Sequence, residues 1–349
     1  MKRWVWKFVG LIILAVMPAA PARSDDAGSD FVELLVPFRY ARVGNTQVPI
    51  YQALGDPSLM VPVRYWSTAG MWVSVKDEIQ IDRHVWYRVG GEEYVLASDV
   101  VLASPSTFHG IFVGQTYDPP LGFVVASHLN VRARPGVAPD NLPLSTLPRY
   151  EVVNIVGQET MDGVWYQIGP DRYVNGAYVS VVTALPRPSG VSPDERWIAV
   201  NLSEQTLAAY EGDQMLFATL VSTGLPWWPT PEGLFRIWVK IQAGKMSGGS
   251  VEQGNYYYLE DVPWIMYFHR GYGLHAAYWH DGFGYPRSRG CINLSPQDAR
   301  WLFDWASPSL SEGQRTILSK EDNLGTWVYV YSTPADLAPT GALHDAASR

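Results

Sequence analysis

Cys291 is the only cysteine in the 349-residue chain, and it stands in the block Ser288-Arg289-Gly290-Cys291-Ile292-Asn293. These residue types suit a nucleophile. Gly290 allows a tight turn, and the amide N–H groups of Gly290 and Cys291 can converge on an oxyanion. Arg289 sets a positive charge nearby, which favours a thiolate. A thiol with an ordinary pKa of about 8.5 is mostly protonated at neutral pH, so efficient attack needs a base. Three of the seven histidines lie just upstream, at 269, 275 and 280. His275 ends the short strand-like run Tyr272-Gly273-Leu274, and the turn-rich stretch from Asp281 to Pro286 can bring it back to Cys291. The spacing permits a Cys–His pair with either His275 or His280. The competing reading of a lone cysteine is a small, inert, buried residue.

Several elements have to position this pair. Residues 197–202 and 206–210 read as two strands around a polar turn, 216–222 as a third and 326–331 as a closing strand. Ser295-Pro296 is an N-cap and first-turn pair for a helix running to about Ala306. Segment 244–254 holds four glycines and no apolar pattern, and reads as a mobile loop.

With these elements in order, Leu274-His275, Trp279-His280, Phe283-Gly284 and Ser288 through Ser295 together resemble the L,D-transpeptidase (YkuD-type) signature. Val221-Ser222-Thr223-Gly224 and Pro229-Thr230-Pro231-Glu232-Gly233-Leu234-Phe235 are similar to that family's upstream strand and turn. The resemblance spans 196–332. It implies that Cys291 forms a thioester with a peptidoglycan stem peptide. His275 then takes the thiol proton and later activates an acceptor amine, and the Gly290 and Cys291 N–H groups hold the oxyanion. Ser288 and Asn293 shape the turn and position substrate, with a purely local hydroxyl bond as the competing role for Ser288. Tyr272, Trp279, Phe283 and Tyr285 wall a groove that His280, the rival base, also lines; core packing is the competing role for Trp279. His269 reads as structural or surface. Two departures stand out: Arg289 replaces the usual histidine beside the cysteine, and Ala276 replaces the usual glycine after the base.

Upstream lies a repeat at an offset of 79 residues. Val85-Trp86-Tyr87-Arg88-Val89-Gly90 with Tyr94-Val95 is matched by Val164-Trp165-Tyr166-Gln167-Ile168-Gly169 with Tyr173-Val174. The two units, 37–103 and 124–183, resemble bacterial SH3-like domains, the second through Leu129-Asn130-Val131-Arg132. Such modules imply binding of wall glycan or peptide through Trp86, Tyr87, Trp165 and Tyr166; filling small barrel cores is the alternative role for these aromatics. A Pro/Ser/Gly stretch in 184–195 reads as a linker. The expected architecture is mainly β: two small SH3-like barrels, then a β-rich catalytic domain with a few short helices.

Lys2, Arg3 and Lys7, the apolar run 8–17 and Ala20-Pro21-Ala22 read as a signal peptide over 1–22, or as an uncleaved anchor. Either places the protein in the cell envelope, periplasm or wall, and only the anchor implies a membrane. One cysteine allows no internal disulfide. A formal net charge of −8 excludes a basic footprint for nucleic acid. No cofactor is expected, and the three histidines lack the spacing of a metal centre. Residues 333–349 read as a disordered tail. Three functions follow: transpeptidation onto a stem amine or a wall-linked protein, hydrolysis of the same thioester, or a non-enzymatic wall-binding scaffold.

Overall fold

The computed structural model describes residues 36–333 apart from 45, 46, 69, 115 and 116. The segment 1–22 read as a signal peptide or anchor, and all of the expected tail except Thr333, lie outside these. The architecture is mainly β, with one α-helix and three short 3-10 turns among the described residues. No helix among them is long and apolar enough to cross a membrane.

Two sheets carry the C-terminal half. The first places the strands Gly233–Arg236, Trp327–Tyr331, Arg196–Asn201, Thr206–Glu211, Gln214–Leu220 and Ile111–Phe112 side by side. The second joins Ile292–Leu294, Tyr272–Ala276 and Tyr257–His269, and Val239–Gly248 pairs with the last of these. The helix α1, Pro296–Trp305, packs into the apolar cluster between them through Ala299, Leu302 and Phe303. Ser295 caps it, its hydroxyl accepting from the Asp298 N–H at 3.2 Å, with Pro296 at the first helical position where no N–H is needed. Segment 244–254 departs from the loop expected of it. Its first half completes the Val239–Gly248 strand, because Met246 packs inward against Tyr257 and Leu259 while the glycines ride the edge.

The repeat is structural. His84–Gly90 pairs with Glu93–Leu96 just as Val164–Gly169 pairs with Arg172–Asn175, and a 3-10 turn follows each hairpin. Trp86, Tyr87, Trp165 and Tyr166 are all buried, the core-filling role of the two offered for these aromatics. Trp86 packs with Tyr51 and Tyr94, Tyr87 with Ile50 and Trp66, and Tyr166 with Leu129 and Val131.

Neither N-terminal unit hangs free of the C-terminal half. Met71–Val75 of the first unit pairs in parallel with Tyr257–His269, so the second sheet continues through it to Arg39–Val43 and Val100–Leu102. The linker is equally engaged. The Leu185 N–H donates to the Tyr210 hydroxyl, Arg187 pairs with Asp213, and Val191 is buried.

Between the second unit and the first sheet, the Val181 N–H donates to the buried Glu204 carboxylate at 2.7 Å. Burial raises this group from 4.5 to about 7, against that hydrogen bond. Between those pH values the folded protein keeps a proton that the unfolded chain releases, so stability falls as pH rises through the window. Glu204→Gln removes that slope. Its melting temperature relative to wild type is expected to climb from pH 5 to pH 8, by the equivalent of about 2–3 kcal/mol at most, measured by thermal unfolding in matched buffers.

Candidate active site

Cys291 sits one residue before the strand Ile292–Leu294, which runs parallel to Tyr272–Ala276 with His275 opposite Asn293. This pairing brings the Cys291 turn and the end of the histidine strand to one side of the sheet. Cys291, His275 and Asn293 line one cavity of about 520 Å³, together with Tyr272, Trp279, Ser288 and Arg289.

The turn at Gly290 has φ +107°, and a Cβ there would meet Tyr272 Cε1 at 2.3 Å and the Pro229 carbonyl at 3.2 Å. Only glycine fits both demands. From the other side Gly224 presses on it: a Cβ at Gly224 would lie 2.9 Å from Gly290 Cα and 2.2 Å from the Trp228 carbonyl. Thr230, whose motif marked it but whose role the sequence left unassigned, locks the contact. Its hydroxyl donates to the Gly290 carbonyl and accepts from the Gly224 N–H, both at 2.9 Å. The Ser222 and Asn293 backbones exchange two hydrogen bonds of 2.9 Å, which fixes the upstream strand to the Ile292–Leu294 strand.

Ser288 makes the local contact foreseen for it. Its hydroxyl donates to the Cys291 carbonyl and accepts from the Gly290 N–H. That second bond corrects the expected oxyanion pair. The Gly290 N–H is already taken at 3.0 Å, whereas the Cys291 N–H has no partner among the described residues. Of the expected pair, one backbone donor therefore remains, that of Cys291.

The two candidate bases separate cleanly. His275 is buried, and its Nδ1 lies 3.1 Å from the Ala276 carbonyl. A carbonyl only accepts, so Nδ1 carries the proton and Nε2 keeps a lone pair. Burial lowers the imidazole to about 4, against the Ala276 bond, so the ring is neutral near pH 7. Ala276 continues an ordinary strand with no positive φ, so the missing glycine leaves no strain. His280 has both nitrogens committed. Nδ1 accepts from the Gly282 N–H at 3.1 Å, which leaves the proton on Nε2, 3.0 Å from the Asn293 side-chain amide. An Nε2–H requires an oxygen there. Exchanging the Asn293 amide atoms supplies one, and relieves the unpartnered buried Oδ1 of Asn293. His280 thus orients Asn293, does not line the cavity, and has no free lone pair.

Two further expectations change. The Arg289 guanidinium does not serve the thiol. It lies 4.7 Å from the Trp228 ring and 4.5 Å from that of Tyr257, and donates to the Asn255 carbonyl. Burial instead raises the thiol pKa, against a backbone hydrogen bond with Gly273. Phe283 does not wall the cavity; it is fully buried, with Phe108 5.9 Å away and His280 5.1 Å away. Tyr285 turns aside to donate to the Val125 carbonyl. His269 stacks on Tyr272 and lies tilted against Phe235, and does not itself line the cavity. The sequence reading missed Gly70, Trp72, Met246, Tyr257, Leu259, Gly271 and Arg287, all of which line the cavity. No group of three metal-ligating side chains occurs among the described residues.

His275→Ala is expected to slow acylation of Cys291 by at least about 100-fold with little change in melting temperature. His280→Ala should lower the melting temperature by several degrees through the orphaned Asn293 and Gly282 groups, with the smaller rate effect. Stopped-flow acylation and thermal unfolding on both variants check this pair.

Residues 195–330 match the family model of the L,D-transpeptidase catalytic domain, YkuD. Among solved structures, an Enterococcus faecium L,D-transpeptidase mutant is 24% identical over 40% of this chain and 50% of its own, with a TM-score of 0.31. An L,D-transpeptidase from Stackebrandtia nassauensis is 25% identical over 41% of this chain and 59% of its own, TM-score 0.28. L,D-transpeptidase 3 from Mycobacterium tuberculosis, in complex with a faropenem-derived adduct, is 19% identical over 54% of this chain and 72% of its own, TM-score 0.33. This chain thus spans only about half to three-fifths of the first two structures. No curated protein matches the chain.

Proposed function

We propose that this protein is an exported cysteine acyltransferase that exchanges the C-terminal residue of a peptidoglycan stem peptide for an acceptor amine. One observation carries the reading. A partly exposed thiol and a neutral imidazole, with its Nδ1 proton fixed on a backbone carbonyl, face one cavity within the segment that matches the catalytic-domain family.

The chemistry runs in two halves. The Cys291 sulfur attacks the carbonyl before the terminal residue of the donor, and its proton passes to His275 Nε2. The Cys291 N–H faces the developing oxyanion. The peptide C–N bond breaks, the leaving amine takes the proton from His275, and a thioester remains. An acceptor amine then gives a proton to the same Nε2 and attacks the thioester. The tetrahedral adduct collapses, and Cys291 recovers its proton. A neutral base suits this cycle, because an imidazolium would have nothing to accept the thiol proton with. The SH3-like reading of the N-terminal units and the signal-peptide reading of residues 1–22 agree with a wall substrate outside the cytoplasm.

With a purified tetrapeptide-stem donor and a second stem as acceptor, the wild type is expected to release the terminal residue and form cross-linked dimers, and Cys291→Ala to form neither. Trimmed monomers without dimers in product mass spectrometry would replace the transferase reading with hydrolysis. Intact thiol chemistry with no turnover of any stem would favour a scaffold. The pH dependence is a separate expectation. Since burial holds His275 at about 4, the acid limb of the acylation rate should fall near pH 4. An unperturbed histidine would put it near pH 6.5.

A further inference from the structure

Trp72 belongs to the first N-terminal unit, yet it lines the cavity that holds Cys291 and His275. Its strand, Met71–Val75, pairs in parallel with the strand that forms the cavity wall, Met71 beside Tyr258 and Trp72 beside Leu259. Gly70, whose carbonyl accepts from the Tyr258 N–H, lies on the same rim.

The placement of Trp72 is over-determined. The Ser74 N–H donates to Glu260 at 2.9 Å, the Ser74 hydroxyl donates to Asp261 at 2.7 Å, and Lys76 pairs with Asp261. Tyr40 stacks on Tyr278 at 3.5 Å, and its hydroxyl donates to the Asp261 carbonyl. Trp72 packs edge-on to Tyr278 at 6.1 Å, Tyr278 on Trp279 at 5.0 Å, and Trp279 lies 5.8 Å from the His275 ring. The indole is only partly buried, and its N–H has no hydrogen-bond partner among the described residues. Beside it stand Met246, Tyr257 and Leu259. A flat apolar face with one unused donor, at the rim of a peptide-sized cavity, suits an extended peptide chain: the ring covers a peptide plane or aliphatic side chain, and the N–H meets a carbonyl.

We infer that the first N-terminal unit is part of the catalytic groove, and that Trp72 is a specificity-determining residue that binds the peptide acyl donor. The inference rests on the acyltransferase reading above. It assigns to the unit a role in substrate selection at the site itself, beyond any binding of wall polymer elsewhere on its surface.

The test compares two probes of Cys291 in the full chain. Iodoacetamide is too small to need the rim, and its alkylation rate reports the thiol alone. A stem tetrapeptide reports the groove, through KM and kcat for release of its terminal residue. In Trp72→Ala the KM is expected to rise about tenfold or more, the loss of one good aromatic contact. The kcat should change less, and the iodoacetamide rate should stay within about twofold of wild type by the same scale. Trp72→Phe, which keeps the ring but loses the donor, should fall between. Trp72→Leu keeps the apolar contact with Tyr278 and carries the test if the alanine variant does not fold. A wild-type KM in the alanine or leucine variant overturns the inference. So does a parallel loss of alkylation rate, which would make Trp72 a structural prop. Failure of the wild type itself to turn over peptide, with normal alkylation, overturns the acyltransferase reading instead.

Discussion

The contact between Gly224 and Gly290 is the constraint on which the candidate site depends. Two backbones approach there more closely than any side chain allows, with Tyr272 against one and the Trp228 carbonyl against the other. Thr230 spans the pair and satisfies a donor on one and an acceptor on the other. With the turn fixed, the Cys291 side chain has one direction to point, and the Ile292–Leu294 strand can only start where it does. The parallel register beside Tyr272–Ala276 then follows, and with it the position of His275. A site of this kind holds its geometry by packing rather than by charge. Burial moves both ionisable partners toward their neutral forms, and the neutral pair is the one that a proton transfer from sulfur to nitrogen starts from.

Near Cys291, hydrogen-bond accounting distinguishes residues of the same type. His275 is buried and His280 half-buried, and desolvation lowers both imidazoles, yet one keeps a lone pair and the other has none. Arg289 lines the same cavity as the thiol, but its guanidinium is held between the Trp228 and Tyr257 rings and donates to the Asn255 carbonyl.

What could be read from the sequence was what local chemistry dictates. The Ser295-Pro296 helix start, the glycine at the turn and the order of strands from 196 to 332 each rest on residues within a few positions of one another. The 79-residue repeat was visible because two hairpins share one apolar alternation, although the same burial that produced the pattern removed Trp86 and Trp165 from the surface. The Gly290 N–H was misjudged because its competitor, the Ser288 hydroxyl, reaches it only once the turn has closed. Trp72 left no signal at all. Nothing in Met71-Trp72-Val73 distinguishes a strand that joins a distant sheet from one that closes its own, and only the partner strand near residue 258 reveals the difference.

The second unit has a quieter part in this arrangement. Tyr150 and, from the segment between the two units, Ser106 hold Asp281, Arg149 donates to the Phe283 carbonyl, and Val125 fills the space a side chain at Gly284 would occupy. All of these grip the connection between His280 and Cys291. The boundary at residue 195, where the match to the family model begins, is therefore not a mechanical boundary. Cutting there would strip the stabilising contacts from one side of the Cys291 turn and an aromatic wall from the other. The segment that matches the family model and the unit that holds the shape of this cavity are different objects.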